Sequence, residues 1–117
     1  MTLTLNTLAN IQYIPSTVGS LLANSTSQKT YITGIVLFNG NTSNLTVKLY
    51  NVPNSGGALG TAGASNQFFE QSLVPQETLF LEFPKTGICL SGTNDSIQGS
   101  TTTASKVTVQ FIGAIDL

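Results

Sequence analysis

Carboxylates are the side chains of this sequence best suited to catalysis, because the chain has 117 residues and no histidine. The absence of histidine removes the commonest general base, and with it any Ser-His-Asp triad or Cys-His pair. Two carboxylates flanking a sugar bond can still hydrolyse a glycoside. The candidates are Glu70, Glu77, Glu82, Asp95 and Asp116. Their spacing does not indicate that any two of them pair, so we expect a protein that is not an enzyme.

Three further patterns suggest ligand sites but lack part of the required chemistry. Gly57, Gly60 and Gly63 suggest a phosphate-binding loop, but no Gly-Lys-Ser/Thr sequence follows them to open a helix. Residues 94–96 (NDS) offer oxygen atoms to Ca²⁺, which needs about six ligands, yet they include one carboxylate. Cys89 is the only cysteine, and we expect a small buried thiol. The sequence therefore predicts neither a metal ion nor a cofactor.

Charged residues make up 8% of the chain, against about 25% in a typical globular domain. The formal net charge is −1, and the four lysines (Lys29, Lys48, Lys85 and Lys106) are dispersed along the sequence. Binding to nucleic acid or to anionic lipid would need clustered positive charge. No apolar run approaches the roughly 20 residues of a membrane helix. We therefore expect neither a nucleic acid nor a membrane as a partner.

The scarcity of charge also favours assembly with other proteins. Lys, Glu and Asp are costly to remove from water and are depleted at the centres of protein interfaces. A surface built from Thr, Ser, Asn, Gln and Gly loses less hydration when another molecule covers it. The composition therefore indicates that part of the exterior is buried against neighbours.

Short apolar segments separated by turns predict an all-β protein. We place strands near residues 2–5, 10–14, 18–23, 29–39, 45–52, 67–73, 77–83, 88–91, 94–99 and 105–115. Every second residue is apolar within 45–49, 79–83 and 107–111, as in strands with one buried face. In 79–83 the residues of the other parity are Phe80 and Glu82. The predicted fold class is a single antiparallel β-sandwich, of jelly-roll or immunoglobulin-like type.

The segment at residues 31–38 (YITGIVLF) differs from the other strands because both of its faces are apolar. Strict alternation places Tyr31, Ile35 and Leu37 on one face. It places Ile32, Val36 and Phe38 on the other face, where they would complete the core. A strand of this kind is covered on both sides. One cover is the core of the domain, and the other is expected to come from a partner.

Residues 1–17 form an apolar terminal segment ahead of the predicted sandwich domain at 18–117, and no charge precedes Pro15. The segment is either an edge strand of the same sandwich or an arm that packs on a neighbouring subunit. Adjacent rings at 68 and 69 point to opposite faces of a strand, so one of them needs a cover outside the core. The predicted interface residues are Leu3, Leu5, Leu8, Ile11, Tyr13, Phe68 and Phe69.

Several motifs resemble those of the small β-sandwich virion proteins of tailed double-stranded DNA bacteriophages. The resemblance spans about residues 18–114, and its motifs describe strands and turns. They are YITGIVLFN at 31–39, VKLY at 47–50, QFFEQSL at 67–73, and DSIQ at 95–98 followed by TASKVTV at 103–109. The resemblance implies a capsid decoration or cement protein on the virion surface, forming a homo-oligomer, often a trimer, and bound to the major capsid protein. A neck, tail or fibre module is the alternative that it implies.

A carbohydrate-binding module for host adhesion is a second alternative, of a different class. Small β-sandwiches often stack sugars on exposed aromatic rings, and this chain has no tryptophan. The rings considered for such a platform are Tyr13, Tyr31, Tyr50, Phe68 and Phe69. We expect a partner protein rather than a glycan to cover those rings that lie outside the core.

Overall fold

Ten β-strands make up the regular structure of the computed structural model, which describes residues 3–84 and 87–116. The strands are β1 (Leu3–Thr7), β2 (Gln12–Tyr13), β3 (Gly19–Ala23), β4 (Lys29–Asn39), β5 (Leu45–Val52), β6 (Gln67–Leu73), β7 (Thr78–Glu82), β8 (Ile88–Leu90), β9 (Ser96–Thr101) and β10 (Val107–Asp116). The described residues contain no α-helix, and therefore none that is long and apolar enough to cross a membrane. The all-β prediction is confirmed.

The strands form two antiparallel sheets that pack together as a sandwich. Sheet A has the order β1-β10-β4-β7, with β2 also paired to β10 and β8 also paired to β4. Sheet B has the order β3-β9-β5-β6. From β2 to β10 the chain crosses repeatedly between the sheets, so that strands distant in sequence become neighbours. Two four-row sheets wound in this way are a jelly roll.

The core lies between the sheets and is built from the alternating strands. Leu45, Val47 and Leu49 of β5 are buried, as the alternation predicts. The same holds for Val107, Val109 and Phe111 of β10. Each such side chain contributes roughly 1.5–3 kcal/mol by leaving water, before the entropic cost of ordering it. The two central strands thus supply much of the apolar interior.

A β-bulge in β4 changes which of its side chains reach the core. β10 pairs Ile112 with Gly34 but pairs the next residue, Gly113, with Ile32, so Thr33 is the extra residue. Ile32 and Ile35 are consequently both buried, although strict alternation places them on opposite faces. The prediction that Ile32 and Ile35 lie on opposite faces of β4 is therefore wrong.

The bulge leaves two apolar side chains of β4 outside the core. Val36 and Phe38 are half-buried and lie on the outer face of sheet A, since their neighbours Ile35 and Leu37 point inward. The prediction that Val36 and Phe38 complete the core is wrong, whereas Ile32 does belong to it.

The first strand forms an edge of sheet A. β1 pairs with β10 from Leu3 opposite Asp116 to Thr7 opposite Ile112. Further along, Ile14 is fully buried in the core, and its N–H donates to the carbonyl of Val107 at 2.8 Å. The apolar terminal segment is thus joined to the sandwich by strand pairing and by a core side chain.

A buried side-chain amide holds one end of the sandwich together. Asn39, the last residue of β4, donates from Nδ2 to the carbonyls of Leu73 and Val74 and to that of Ser43, at 2.9–3.2 Å. Its Oδ1 accepts the N–H of Asn41 at 2.9 Å. One residue therefore joins the end of β4, the 40–44 turn and the end of β6.

Replacing Asn39 by aspartate tests this amide with almost no change of shape. Asn39→Asp removes the donor and places a carboxylate beside three carbonyl oxygens, so we expect a loss of about 2–4 kcal/mol in unfolding free energy at pH 7. Urea denaturation measures the loss. Asn44→Asp, in the same turn but exposed, should change stability by less than about 0.5 kcal/mol. Equal effects of the two substitutions would show that the amide is not a structural clamp.

The bulge between β4 and β10 should likewise depend on a glycine. A methyl group on Gly113 would overlap the carbonyl of Tyr31, whereas one on Gly63 would meet no atom within 4 Å. Gly113→Ala should therefore destabilise the fold by about 1–3 kcal/mol or more, and Gly63→Ala should leave it almost unchanged. Thermal unfolding of the two variants, followed by circular dichroism, makes the comparison. A Gly113→Ala variant as stable as the parent would contradict the close approach.

Candidate functional site

The outer face of sheet A carries several exposed apolar side chains. Strand pairing sets its rows, because residues directly opposite each other on antiparallel strands point to the same side. Val36 lies between Phe80 and Gln110, and Phe38 lies between Thr78 and Thr108. The apolar and aromatic members of this face are Tyr13, Tyr31, Val36, Phe38, Phe80 and Ile112. Of these, Tyr13 is 58% exposed, Phe80 50% and Ile112 43%.

A glycine in β4 allows one of these rings to lie close to the sheet. Gly34 is opposite Glu82 of β7 and Ile112 of β10. A methyl group at Gly34 would come within 2.7 Å of Cε1 of Phe80, so the phenyl ring lies over the glycine. The ring therefore covers the backbone of β4 at Gly34.

Charge is almost absent from this face. Within the rows described, Glu82 is the one charged residue near its middle, and Thr78, Thr108 and Gln110 are its neutral polar members. Lys29 and Asp116 are paired across β4 and β10 at the far end of the sheet. A molecule that covers this face would thus remove few charges from water.

The outer face of sheet B is different, because the chain covers half of it. The loop at 53–66 folds over the ends of β5 and β9, where Gln98 donates from Nε2 to the carbonyl of Gly60 at 3.0 Å. A methyl group at Gly60 would lie 3.0 Å from a methyl of Val52. Tyr50 is 8% exposed, so it offers no surface for a sugar. The aromatic platform considered for carbohydrate binding therefore loses one of its rings.

The other half of that face is an open polar groove of about 410 Å³. It is lined by Thr46, Lys48, Glu70, Ser100, Thr101 and Thr102. Lys48 and Glu70 are directly opposite each other on β5 and β6. A second open groove, of about 290 Å³, lies beside Lys29 and Asp116. Both grooves are shallow and lined mainly by hydroxyl and charged groups, with no aromatic ring among their lining residues.

The five carboxylates lie on separate elements. Glu77 accepts the N–H of Val74 at 2.8 Å in the turn before β7. Glu70 accepts from the side-chain amide of Gln67 at 3.0 Å on β6. Glu82 and Asp116 are at different rows of sheet A. Across residues 3–84 and 87–116, no three Cys, Asp or Glu side chains are grouped so as to hold a metal ion.

Asp95 has a structural role that connects two loops. Its Oδ1 accepts the backbone N–H and the side-chain amide of Asn54 at 2.9 and 3.0 Å, and its Oδ2 accepts the N–H of Gly92 at 2.8 Å. Burial alone would raise the pKa of Asp95, but these hydrogen bonds, with one from the backbone of Ser91, outweigh it and lower the pKa below its usual value.

The predicted interface residues do not form one continuous surface. Ile11 and Tyr13 are exposed at the β2 edge of sheet A, whereas Leu8 is half-buried against the core. Leu3 and Leu5 lie in β1, and their side chains are outside the described part of the structure.

The two predicted phenylalanines lie at the opposite edge of the sandwich, in β6 of sheet B. Phe69 packs against the core. Phe68 is partly exposed and makes an edge-to-face contact with Phe83, which directly follows β7 of sheet A, with ring centroids 6.4 Å apart. The chain itself therefore provides part of the cover that the sequence analysis expects from a partner.

Phe80 and Ile112 were not among the residues predicted for an exposed interface. Both stand at strand positions that alternate with core residues, so their side chains point away from the core. This alternation is the signal in the sequence that could have identified them. The prediction that Cys89 is buried is wrong, because this residue is exposed. Cys89 is paired with Tyr31 and shares its outward side of sheet A, while its neighbour Leu90 is buried.

Acid should weaken the link made by Asp95. A carboxylate with a lowered pKa adds stability that is present above its ordinary pKa of about 3.9 and is lost as the pH falls through the lower folded value. In Asp95→Asn one oxygen becomes a donor that faces another donor, so we expect a loss of about 1–2 kcal/mol at pH 7.

The difference between Asp95→Asn and the parent should shrink as the pH falls below about 4, because the parent then loses the same charge. Urea denaturation between pH 7 and pH 2.5 follows this convergence. Glu82→Gln, an exposed change of the same kind, should not alter stability at pH 7. A difference that stays constant down to pH 2.5 would exclude the ionised carboxylate as the cause.

No protein-family model matches the chain, and no curated protein shows significant sequence similarity to it. The fold and the geometry of the outer face of sheet A therefore stand as the evidence from which function is inferred. The resemblance to phage virion proteins rests on its strand and turn motifs and stays a prediction.

Proposed function

We propose that this chain is a non-enzymatic structural protein of a phage virion, a cement or decoration protein that forms homo-oligomers and stabilises the capsid exterior. The observation that carries the proposal is the outer face of sheet A, which is apolar, nearly uncharged and left open by the fold. Large exposed apolar patches on a soluble protein mark interaction surfaces. Tyr13, Phe80 and Ile112 give this face its exposed apolar area.

The scarcity of charge over the whole chain supports the same proposal. Charged residues are 8% of the chain, so most contacts with a neighbour remove hydroxyl and amide groups from water instead of ions. These groups can hydrogen-bond across an interface or through bridging waters at a modest cost. The protein can therefore cover a large area of shell without leaving buried charges unpaired.

A cement protein works by adding buried area between capsomers. About 1,000 Å² or more is expected for each specific contact. When several copies are joined, each further attachment becomes intramolecular, and weak single contacts are sufficient to hold the oligomer on the shell. A rigid sandwich with side-chain clamps such as Asn39 at its ends suits this role, because little conformational entropy is lost on binding.

The placement of the polar groups supports a role without catalysis. Asp95 and Glu77 accept hydrogen bonds from turn backbone, and Glu70 accepts one from the side-chain amide of Gln67. These contacts give the three carboxylates structural work in the fold. A tail, neck or fibre module of the same fold would use the same surface, and location in the particle separates it from a cement protein.

Binding to phage heads tests the proposal. Heads prepared from a phage that lacks this gene should bind the purified protein in cosedimentation, and should then withstand higher temperatures before releasing DNA. Heads that already carry the protein are the control, and should bind no more of it. Protein that stays in the supernatant, with no change in the release temperature, would refute the cement role. Labelling at a neck, tail or fibre by immuno-electron microscopy would assign the protein to the alternative module.

A further inference from the structure

We infer that the outer face of sheet A is covered by a second copy of this chain, so that two sandwiches stack face to face about a two-fold axis. The axis runs along the strands, between β4 and β10. This inference rests on the proposed homo-oligomer and names the surface that forms it. A second copy is favoured over another occupant by the area of the face and by the arrangement of its few charges.

The area of the face fits a stable pair. β4 has 11 residues, so the sheet is about 36 Å long at about 3.3 Å per residue, and its four rows are about 19 Å wide. Stacking would thus bury roughly 700 Å² on each copy, or about 1,400 Å² in total. Specific interfaces bury about 1,200–2,000 Å².

The charges of the face match under this two-fold axis. Rotation about the axis places β4 of one copy over β10 of the other. Lys29 and Asp116 are in register on these two strands, so Lys29 comes to lie over the partner's Asp116. Glu82 comes to lie over the β1 row, at the register position of Thr7, which is uncharged. Among the described residues of the face no like charges meet, and one pair of opposite charges forms on each side.

The apolar residues match as well. Phe80, in the β7 row, lies over the partner's β2 row, beside which Ile11 and Tyr13 are exposed. Val36 lies over the partner's Gln110, because these two residues are in register across β4 and β10. Two sheets stacked face to face are about 10 Å apart. The ring of Phe80, lying close over Gly34, leaves the face flat enough for that spacing.

Sedimentation equilibrium of the free protein tests the inference. The parent should associate to a dimer, and Phe80→Asp should raise the dissociation constant at least tenfold, because it buries an unpaired charge. Val74→Asp is the matched control, since Val74 is 51% exposed in the turn between β6 and β7, away from the face. The control should dimerise like the parent.

A second pair of variants protects the test against a loss of folding. Gln110 is exposed near the axis, and Gln110→Lys should weaken the dimer at least tenfold without touching the core. Gln71→Lys, at an exposed position of β6, should have no effect. If circular dichroism shows that Phe80→Asp is unfolded, the comparison of Gln110→Lys with Gln71→Lys tests the inference instead. A dimer weakened by the face variants and by neither control supports the inference.

Other results overturn the inference. These are a parent that stays monomeric, a trimer, or a dimer that the face variants do not weaken more than the controls. Binding to phage heads is measured in a separate experiment, so failure of the face-to-face dimer can be distinguished from failure of the cement role. A monomer that binds heads would refute the face-to-face pair and the homo-oligomer but leave the binding to the capsid standing, whereas a dimer that ignores heads would refute the cement role and leave the pair.

Discussion

The long antiparallel pairing of β4 with β10 is the constraint on which the rest of the structure depends. It joins residues 29–39 to residues 107–116 through ten residue pairs and one bulge. Every other strand of sheet A is attached to one of these two: β1 and β2 to β10, and β7 and β8 to β4. Because the pair is central, its inward side chains form one wall of the core and its outward side chains form the exposed face. The bulge determines which side chains of β4 point into the core and which lie on the exposed face.

Polar groups hold the turns in this protein where many proteins use ion pairs. Asn24 is buried, donates to the carbonyls of Gln28 and Gly92, and accepts from the hydroxyl of Thr30. Asn39 and Asp95 make comparable sets of contacts at other loops. Each connects segments distant in sequence through hydrogen bonds to backbone, which salt screens less than it screens exposed charges. A chain with few charges can thus keep its loops fixed and leave its surface neutral.

Much of the fold was predictable from alternation and turn residues. β5 and β6 begin and end where the pattern placed them, and the alternation in β10 correctly assigned its core residues. The bulge at Thr33 was not predictable, because one extra residue in a strand leaves no mark in a segment that is apolar on both parities. For the same reason the exposed face was predicted only in part. Phe80 and Ile112 look like ordinary outward residues until the register places them beside Val36 and Gly34.

The packing around Asn39 also governs how the protein ages. Asparagine followed by glycine is the dipeptide that deamidates most readily. The backbone nitrogen of the glycine attacks the side-chain carbonyl carbon of the asparagine, a cyclic imide forms, and the side-chain amide leaves as ammonia. Here the nitrogen of Gly40 donates to the carbonyl of Lys106 at 2.8 Å, and the amide of Asn39 is held by three acceptors. Neither group is free to move toward the other while the sandwich is folded. Loss of ammonia at this dipeptide is therefore confined to molecules that have opened, and the folded chain is protected against it.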